Sequence, residues 1–407
     1  MKLNDSLTLP CGAVLKNRIG KSAMSENMAD KSNFAGGKFS TLYHTWAAGG
    51  AGLLISGNIM IDSKALGEPH NVILEKGHEG RDQLKAWAAS CSQQGAALWG
   101  QLNHPGKQSP KFLSPVPFAP SAKGFPAPMD KMFNVPKAMT EEEIQKTISD
   151  FAYAASVLKE CGFSGVQIHG AHGYLVSQFL SPVHNQRQDR YGGSLENRMR
   201  FALEVYHAIR EAVGASFPVG IKLNSADFQK GGFSQEDSML VVKELGDAGI
   251  DLIEISGGTY EAPKMMGARR DSTVKREAYF LDYCQQVREL TSTPLMLTGG
   301  FRTPTGMTEA LSSGACDLIG LARSIALEPD FPRRILAGED CKSLVHPLTS
   351  GSKLLDKLVP LEIIWYTEQI HRLGRGKVPK PKASPKLSVL RTLFSFGTEM
   401  LKPVRAK

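Results

Sequence analysis

The sequence predicts a single (β/α)8 barrel, and three observations predict it. Short β-like runs alternate with helical runs to about residue 337, and the strand count closes at eight. Such alternation implies βαβ units and a parallel sheet. The strand over 51–58 (A-G-L-L-I-S-G-N) is nearly continuous in apolar residues, as a parallel strand covered on both faces must be. The residues able to do chemistry gather where strands end, most densely over 166–196, and barrels of this kind carry their active sites at that end.

Leu7 to Leu15, broken by Pro10-Cys11-Gly12, reads as a small hairpin that closes the barrel floor. Strand one covers 18–24. A helix over 38–48 ends at Gly49-Gly50, and strand two follows over 51–58. The next helix covers 79–94 and strand three 96–102. The segment 103–139 holds prolines at 105, 110, 115, 117, 120, 126, 128 and 136, a density that forbids helix and central strand. A loop this long is usually functional, and a lid over the rim is expected. Thr140 then opens a helix with Glu143 at the capping-box position, and Ile144, Ile148, Phe151, Ala152 and Ala155 keep helical spacing. Strands four, five and six cover 165–169, 218–223 and 251–256, separated by helices over 196–213 and 235–248. Ser234 caps the second of these helices, with Asp237 at the capping-box position. Strand seven (294–298) ends in Gly299-Gly300, a helix covers 304–313, strand eight is 316–320, and a last helix covers about 329–337.

Composition excludes several classes. The chain of 407 residues is 42% hydrophobic and 22% charged, ordinary values for a globular chain. No run of 18 apolar residues exists, so no membrane span is expected. The first six residues lack an apolar h-region, so secretion is not expected. Six cysteines lie scattered without a C-x-x-C pair. That argues against a zinc or iron–sulfur site and suits a reducing, cytoplasmic setting. Of the net charge of +8, residues 372–407 carry +9 (ten Lys or Arg against Glu399), which leaves about −1 for the body. A near-neutral body with a basic tail does not read as a nucleic-acid-binding protein.

The rim chemistry follows from the strand ends. Loops after strands seven and eight commonly form a barrel's phosphate cradle. Gly299 and Gly300 let backbone N–H groups approach phosphate oxygens, and Arg323, after Gly320-Leu321-Ala322, can bind them bidentately. A Gly-Gly pair is also a plain turn. Gln101 and Lys222 suit a flat heterocycle with an imide edge: an amide donates and accepts at once, and a fixed cation steadies negative charge. A lysine inside an apolar strand is rarely unpaired, and Schiff-base chemistry is its rival use. His169 and His172 could be metal ligands, but no third ligand stands at sensible spacing. Two hydrogen-bond donors converging on one substrate oxygen is the preferred reading, against a histidine pair that merely orders the loop. Tyr174, a phenol of pKa about 10, can deliver a proton to a strongly basic carbanion.

Together these residues resemble the old yellow enzyme family of FMN-dependent NAD(P)H oxidoreductases. The resemblance covers roughly residues 5–340. It is carried by L-K-N-R-I (15–19), S-A-M-S (22–25), G-Q-L-N-H-P-G (100–106), I-H-G-A-H-G-Y-L (168–175), F-L-S-P (179–182), D-R-Y-G-G-S-L-E-N-R (189–198), Gly299-Gly300 and G-L-A-R (320–323). Bacterial-type enoate reductases and the N-terminal domain of 2,4-dienoyl-CoA reductases look nearest. The resemblance implies non-covalent FMN, a hydride from NADH or NADPH, and reduction of the C=C bond of α,β-unsaturated carbonyl compounds. It implies that Ala23, Met24 and Ser25 line the flavin, with Ser25 near O4. Asn58 and Gln101 would bind the pyrimidine edge, and Lys222 would sit near N1 and O2. Gly299, Gly300, Ala322 and Arg323 would hold the phosphate. His169 and His172 would grip the substrate carbonyl oxygen, and Tyr174 would be the proton donor.

The sequence departs from the pattern at several points. Many relatives have Cys or Thr where Ser25 stands, and some have Arg where Lys222 stands. An aromatic residue that some relatives place after strand one is absent from Glu26-Asn27-Met28, so substrate preference does not carry over. The cysteine cluster and second nucleotide domain of dienoyl-CoA reductases are absent as well, and electrons are expected to come directly from a nicotinamide. The organisation expected is a barrel over 1–340, an extension over 341–376 with a docking helix, and a basic Pro/Lys-rich tail over 377–407. The extension offers Ile364, Ile370 and Leu373 for docking. In the tail, 377–385 reads as a linker and 387–401 as an amphipathic segment, a candidate for contact with an anionic membrane surface or for packing on the barrel. Two other functions stay open: a Schiff-base aldolase built on Lys222, and a non-catalytic flavin-binding redox partner whose tail is the functional part.

Overall fold

The computed structural model describes residues 1–259, 261, 277–352, 356 and 359–400, with side chains to 392. Eight parallel strands close into a barrel: β1 (Ile19–Lys21), β2 (Leu53–Met60), β3 (Ala97–Asn103), β4 (Gly165–Gly170), β5 (Val219–Asn224), β6 (Leu252–Ser256), β7 (Leu295–Thr298) and β8 (Leu318–Leu321). β8 pairs with β1 through Ile319 and Ile19, and β1 pairs with β2 through Gly20 and Leu53, which closes the ring. A short strand, Val72–Ile73, adds to the end of β2. The hairpin of Leu7–Thr8 and Val14–Leu15 plugs the opposite end. There Leu7, Leu9 and Leu15 pack with Leu53, Trp99, Leu252 and Leu318.

Helices α1 (Gly37–Ala48), α2 (Arg81–Ser92), α3 (Glu141–Glu160), α4 (Leu175–Leu180), α5 (Leu195–Val213), α6 (Gln235–Asp247), α7 (Leu281–Arg288), α8 (Pro304–Ser312), α9 (Arg323–Leu327) and α10 (Phe331–Leu336) accompany the strands. Both N-caps act as expected, but only α3 completes a capping box. Thr140 and Glu143 form a reciprocal capping box at α3. Ser234 accepts from the Asp237 N–H at α6, and the Asp237 carboxylate pairs instead with Arg198 at 2.9 Å. α4, α7 and α9 were not foreseen. α4 is buried on every side and so shows no amphipathic stripe, and α9 has only five residues. β1 is shorter than expected. Beyond it Ser22–Met28 runs as irregular chain across the top of the barrel.

The Pro-rich segment 103–139 holds two 3-10 turns and a two-residue ladder of Phe118–Ala119 with Lys137–Ala138. Phe125 and Phe133 are buried in it, 4.8 Å apart. At the C-terminal side α11 (Leu361–Gly374) packs on α1 and α9, and Trp365, Tyr366, Ile370 and Leu373 join the main core. Ile364 is only partly buried. The stretch 377–385, read as a linker, is tied back: the Lys380 N–H donates to Gln369 Oε1 and Trp365 Nε1 to the Ala383 carbonyl. It leads into α12 (Pro385–Met400), where Ser388 and Val389 are buried while Leu387 and Leu390 stay exposed. The other apolar residues of the expected amphipathic segment lie outside the described side chains. Among the described residues no helix is long and apolar enough to cross a membrane.

Candidate active site

At the end of β4 the chain makes a tight left-handed turn, with φ +60° at His172 and +79° at Gly173. A non-glycine residue rarely adopts this conformation, and neighbours hold His172 in it. Its N–H donates to Asn224 Oδ1 at 3.2 Å, and its carbonyl accepts from Gln108 Nε2 at 3.2 Å. The turn sets the His169 and His172 rings 5.3 Å apart at 78°, and the Tyr174 ring 4.7 Å from that of His169. The three residues thus meet at one place on the rim. His169 and Tyr174 are buried, at 4% and 8% exposure.

Burial drives both imidazoles well below their ordinary pKa. The charge of Lys222 adds to this for both, and His172 adds to it for His169. Both rings are therefore neutral near pH 7. Nδ1 of His169 accepts the Ala171 N–H at 3.3 Å. Its proton must then sit on Nε2, which has no hydrogen-bond partner among the described residues. His172 is tied differently, its Nε2 lying 2.8 Å from Ser256 Oγ at the end of β6.

A second cluster adjoins the first, with Lys222 of β5 paired in register with His169 of β4 and with Glu254 of β6. Lys222 Nζ donates to Glu254 Oε1 at 2.9 Å, and Thr298 Oγ1 donates to the same oxygen at 2.8 Å. Gln167 Nε2 donates to Glu254 Oε2 at 2.8 Å, and Gln101 Nε2 to Gln167 Oε1 at 2.7 Å. Ser22 Oγ lies 2.8 Å from Thr298 Oγ1. Burial alone would raise the Glu254 carboxyl, but the Lys222 charge and the three donors hold it below its usual range. Gln101 and Lys222 are thus brought together, through two residues that sequence reasoning missed. The signal was present: Gln167 and Glu254 interrupt the apolar strands G-V-Q-I-H and L-I-E-I-S, and a buried charge needs a partner.

Residues 22–26 lie against β2. A Cβ on Gly57 would stand 2.4 Å from the Met24 carbonyl, so only glycine allows this approach. The Gly57 N–H donates to Glu26 Oε1 at 2.8 Å, and Tyr43 donates its hydroxyl to the same oxygen. Ala23, Met24 and Ser25 are thereby set beside Asn58, all partly exposed. Ser25 Oγ donates to Glu68, whose carboxyl burial raises. Asn58 Oδ1 and both amide atoms of Asn103 are buried without a hydrogen-bond partner among the described residues. Such orphans are uncommon, and they lie at strand ends where a ligand with an imide edge would satisfy them. The donor and acceptor set therefore fits a flavin.

At the other side Gly299 and Gly300 have φ +139° and +87°, and a Cβ on Gly300 would stand 2.6 Å from the Tyr279 ring. Ala322 is the N-cap of α9, and Arg323 begins it. The Arg323 guanidinium donates to Glu362 of α11 at 2.8 Å, both side chains about 30% exposed. No sequence signal marked Glu362 as a neighbour. Among the described residues no cluster of His, Cys, Asp or Glu could hold a metal ion.

A closed barrel with a glycine pair and an arginine after its last two strands, orphaned amides on β2 and β3 and a buried cation is the setting of a flavin-dependent oxidoreductase. A model of the NADH:flavin oxidoreductase / NADH oxidase family matches residues 10–340, and the chain belongs to that family. An "NADH-dependent flavin oxidoreductase iccE" of Talaromyces variabilis is 38% identical over 413 aligned positions, covering 92% of this chain and 99% of that one. Among solved structures, a complex of 2-naphthoyl-CoA reductase superposes with TM-score 0.78 at 26% identity, covering 84% of this chain and about half (54%) of that one. The old yellow enzyme homologue of Zymomonas mobilis superposes with TM-score 0.71 at 25% identity, covering 85% and 95%. The protein is thus an NAD(P)H-dependent oxidoreductase of old yellow enzyme type that uses FMN.

Proposed function

We propose that this oxidoreductase reduces the C=C bond of α,β-unsaturated carbonyl compounds, with His169, His172 and Tyr174 as its catalytic residues. The observation that carries the reading is the pair of neutral imidazoles beside a phenol on one turn. When bound, FMN supplies a hydride taken from NADH or NADPH. The chain's own groups manage the charge and the proton. Neutral donors suit a carbonyl oxygen that gains charge only as the reaction proceeds. His169 offers Nε2–H. His172 offers Nδ1–H if Ser256 donates its hydroxyl proton to Nε2, which makes Ser256 the residue that selects the tautomer. Tyr174 delivers a proton to the α-carbon. In this reading Asn58, Gln101 and Lys222 hold the pyrimidine edge of the flavin, Ala23, Met24 and Ser25 line it, and Gly299, Gly300, Ala322 and Arg323 hold its phosphate.

The test is the visible spectrum of the FMN-loaded protein with a simple phenol. A long-wavelength charge-transfer band in the wild type, lost in His169→Ala/His172→Ala, supports the reading. Flavin bands that do not respond to the phenol refute the proposed oxyanion pocket. Tyr174→Phe should then slow substrate reduction by about 10²- to 10⁴-fold and leave reduction by NAD(P)H near the wild-type rate. Equal rates in both half-reactions would remove Tyr174 from the mechanism.

A further inference from the structure

We propose that Glu254 is a positioning residue of the flavin site, fixing which way the Gln101 amide faces and compensating the charge of Lys222. The proposal rests on FMN binding at this rim as read above. Glu254 is fully buried, and both its oxygens are in use: Oε1 by Lys222 and Thr298, Oε2 by Gln167. A carboxylate can only accept. Gln167 must therefore turn its NH2 toward Glu254, which leaves its carbonyl to accept from the Gln101 NH2 at 2.7 Å. Gln101 is then left with its carbonyl oxygen for a ligand, an acceptor matched to an imide N–H. Reversing either amide would set oxygen against oxygen.

The same logic runs along the second arm. Thr298 gives its proton to Glu254, so at 2.8 Å it must accept from Ser22, the residue before Ala23–Ser25. One buried anion thus sets the direction of hydrogen bonding on β3, β4 and β7 and at Ser22, just beyond β1.

Charge is the second consequence. Lys222 has one hydrogen-bond partner among the described residues, Glu254. Its other two N–H bonds remain for a ligand, yet the pair as a whole is neutral. A lone cation would favour the reduced, more negative flavin, and this pair is built to moderate that preference.

The experiment is an equilibrium redox titration of FMN-loaded wild type, Glu254→Gln, Lys222→Gln and the double variant. Glu254→Gln leaves the cation uncompensated and should raise the midpoint potential. The expected change is about tenfold in relative affinity for reduced over oxidised FMN, or about 30 mV for a two-electron couple. Lys222→Gln should lower the potential, and the double variant should return toward wild type. Single variants that both match the wild type, or that shift in the same direction, would overturn the proposal. If Glu254→Gln does not fold, the double variant must still lie above Lys222→Gln, and equal values overturn the proposal. A wild-type protein that takes up no FMN would refute the flavin reading itself, a separate failure visible before any titration.

Discussion

Replacing Lys222 by Met isolates the stability side of the buried pair. Glu254 is fully buried and Lys222 is 4% exposed. The substitution removes the cation and leaves a carboxylate with two neutral donors, Gln167 and Thr298. Breaking a buried pair in this way costs about 3–5 kcal/mol. The pH dependence gives the sharper test. In the wild type the Glu254 carboxyl is held below its ordinary value. Its contribution is therefore fully present above the unfolded pKa of about 4.3 and is lost as pH falls through the folded value. Without Lys222, burial dominates and pushes the carboxyl above its unfolded value. The variant is then penalised most at neutral pH, and the penalty shrinks as the carboxyl takes up a proton on acidification. Urea unfolding of the cofactor-free protein at pH 7 and pH 5 should show a loss of about 3–5 kcal/mol at pH 7 and a clearly smaller loss at pH 5. Losses that are equal at the two pH values, or below about 1 kcal/mol at both, would refute the view that Lys222 compensates a buried anion.

Three further outcomes are expected. Glu362→Gln frees Arg323 from its only carboxylate among the described residues. Because the pair is partly solvated, FMN should bind only about two- to fivefold tighter by fluorescence quenching, and weaker binding would count against Arg323 as a phosphate ligand. Gly300→Ala puts a Cβ 2.6 Å from the Tyr279 ring at φ +87°. It should lower stability by about 1–3 kcal/mol and weaken FMN binding, and unchanged thermal unfolding would refute the strain. Thr140→Ala removes the capping box of α3 and should cost about 1 kcal/mol in urea unfolding with FMN affinity unchanged.

The barrel was legible because parallel strands and their covering helices write long patterns into the chain. The strand over 51–58 and the Thr140 cap are local signals, and each reappears within a few residues of its expected place. The β4 turn was legible for another reason: His169, His172 and Tyr174 lie within six residues, so one loop brings them together. What escaped is what depends on separation. Glu254 meets Lys222 across 32 residues and Gln167 across 87, and Glu362 meets Arg323 across 39. Nothing local in L-E-I-I-W-Y marks its glutamate as the neighbour of an arginine on another helix. α4 escaped because a helix buried on all sides has no polar face to set its period.

The docking of α11 bears on where this protein can be cut. The family match ends at residue 340, yet Trp365 and Ile370 of α11 are core residues, and His371 Nε2 bonds the carbonyl of Glu26 at 2.8 Å. That carbonyl belongs to the same residue whose carboxylate steadies Gly57, beside the run of Ala23–Ser25. A chain trimmed to the homologous barrel would bare an apolar groove on α1 and unfasten the segment proposed to line the cofactor. Proteolytic nicking between the barrel and α11 should therefore be read out first as bleaching, the yellow colour leaving the protein before the barrel itself melts.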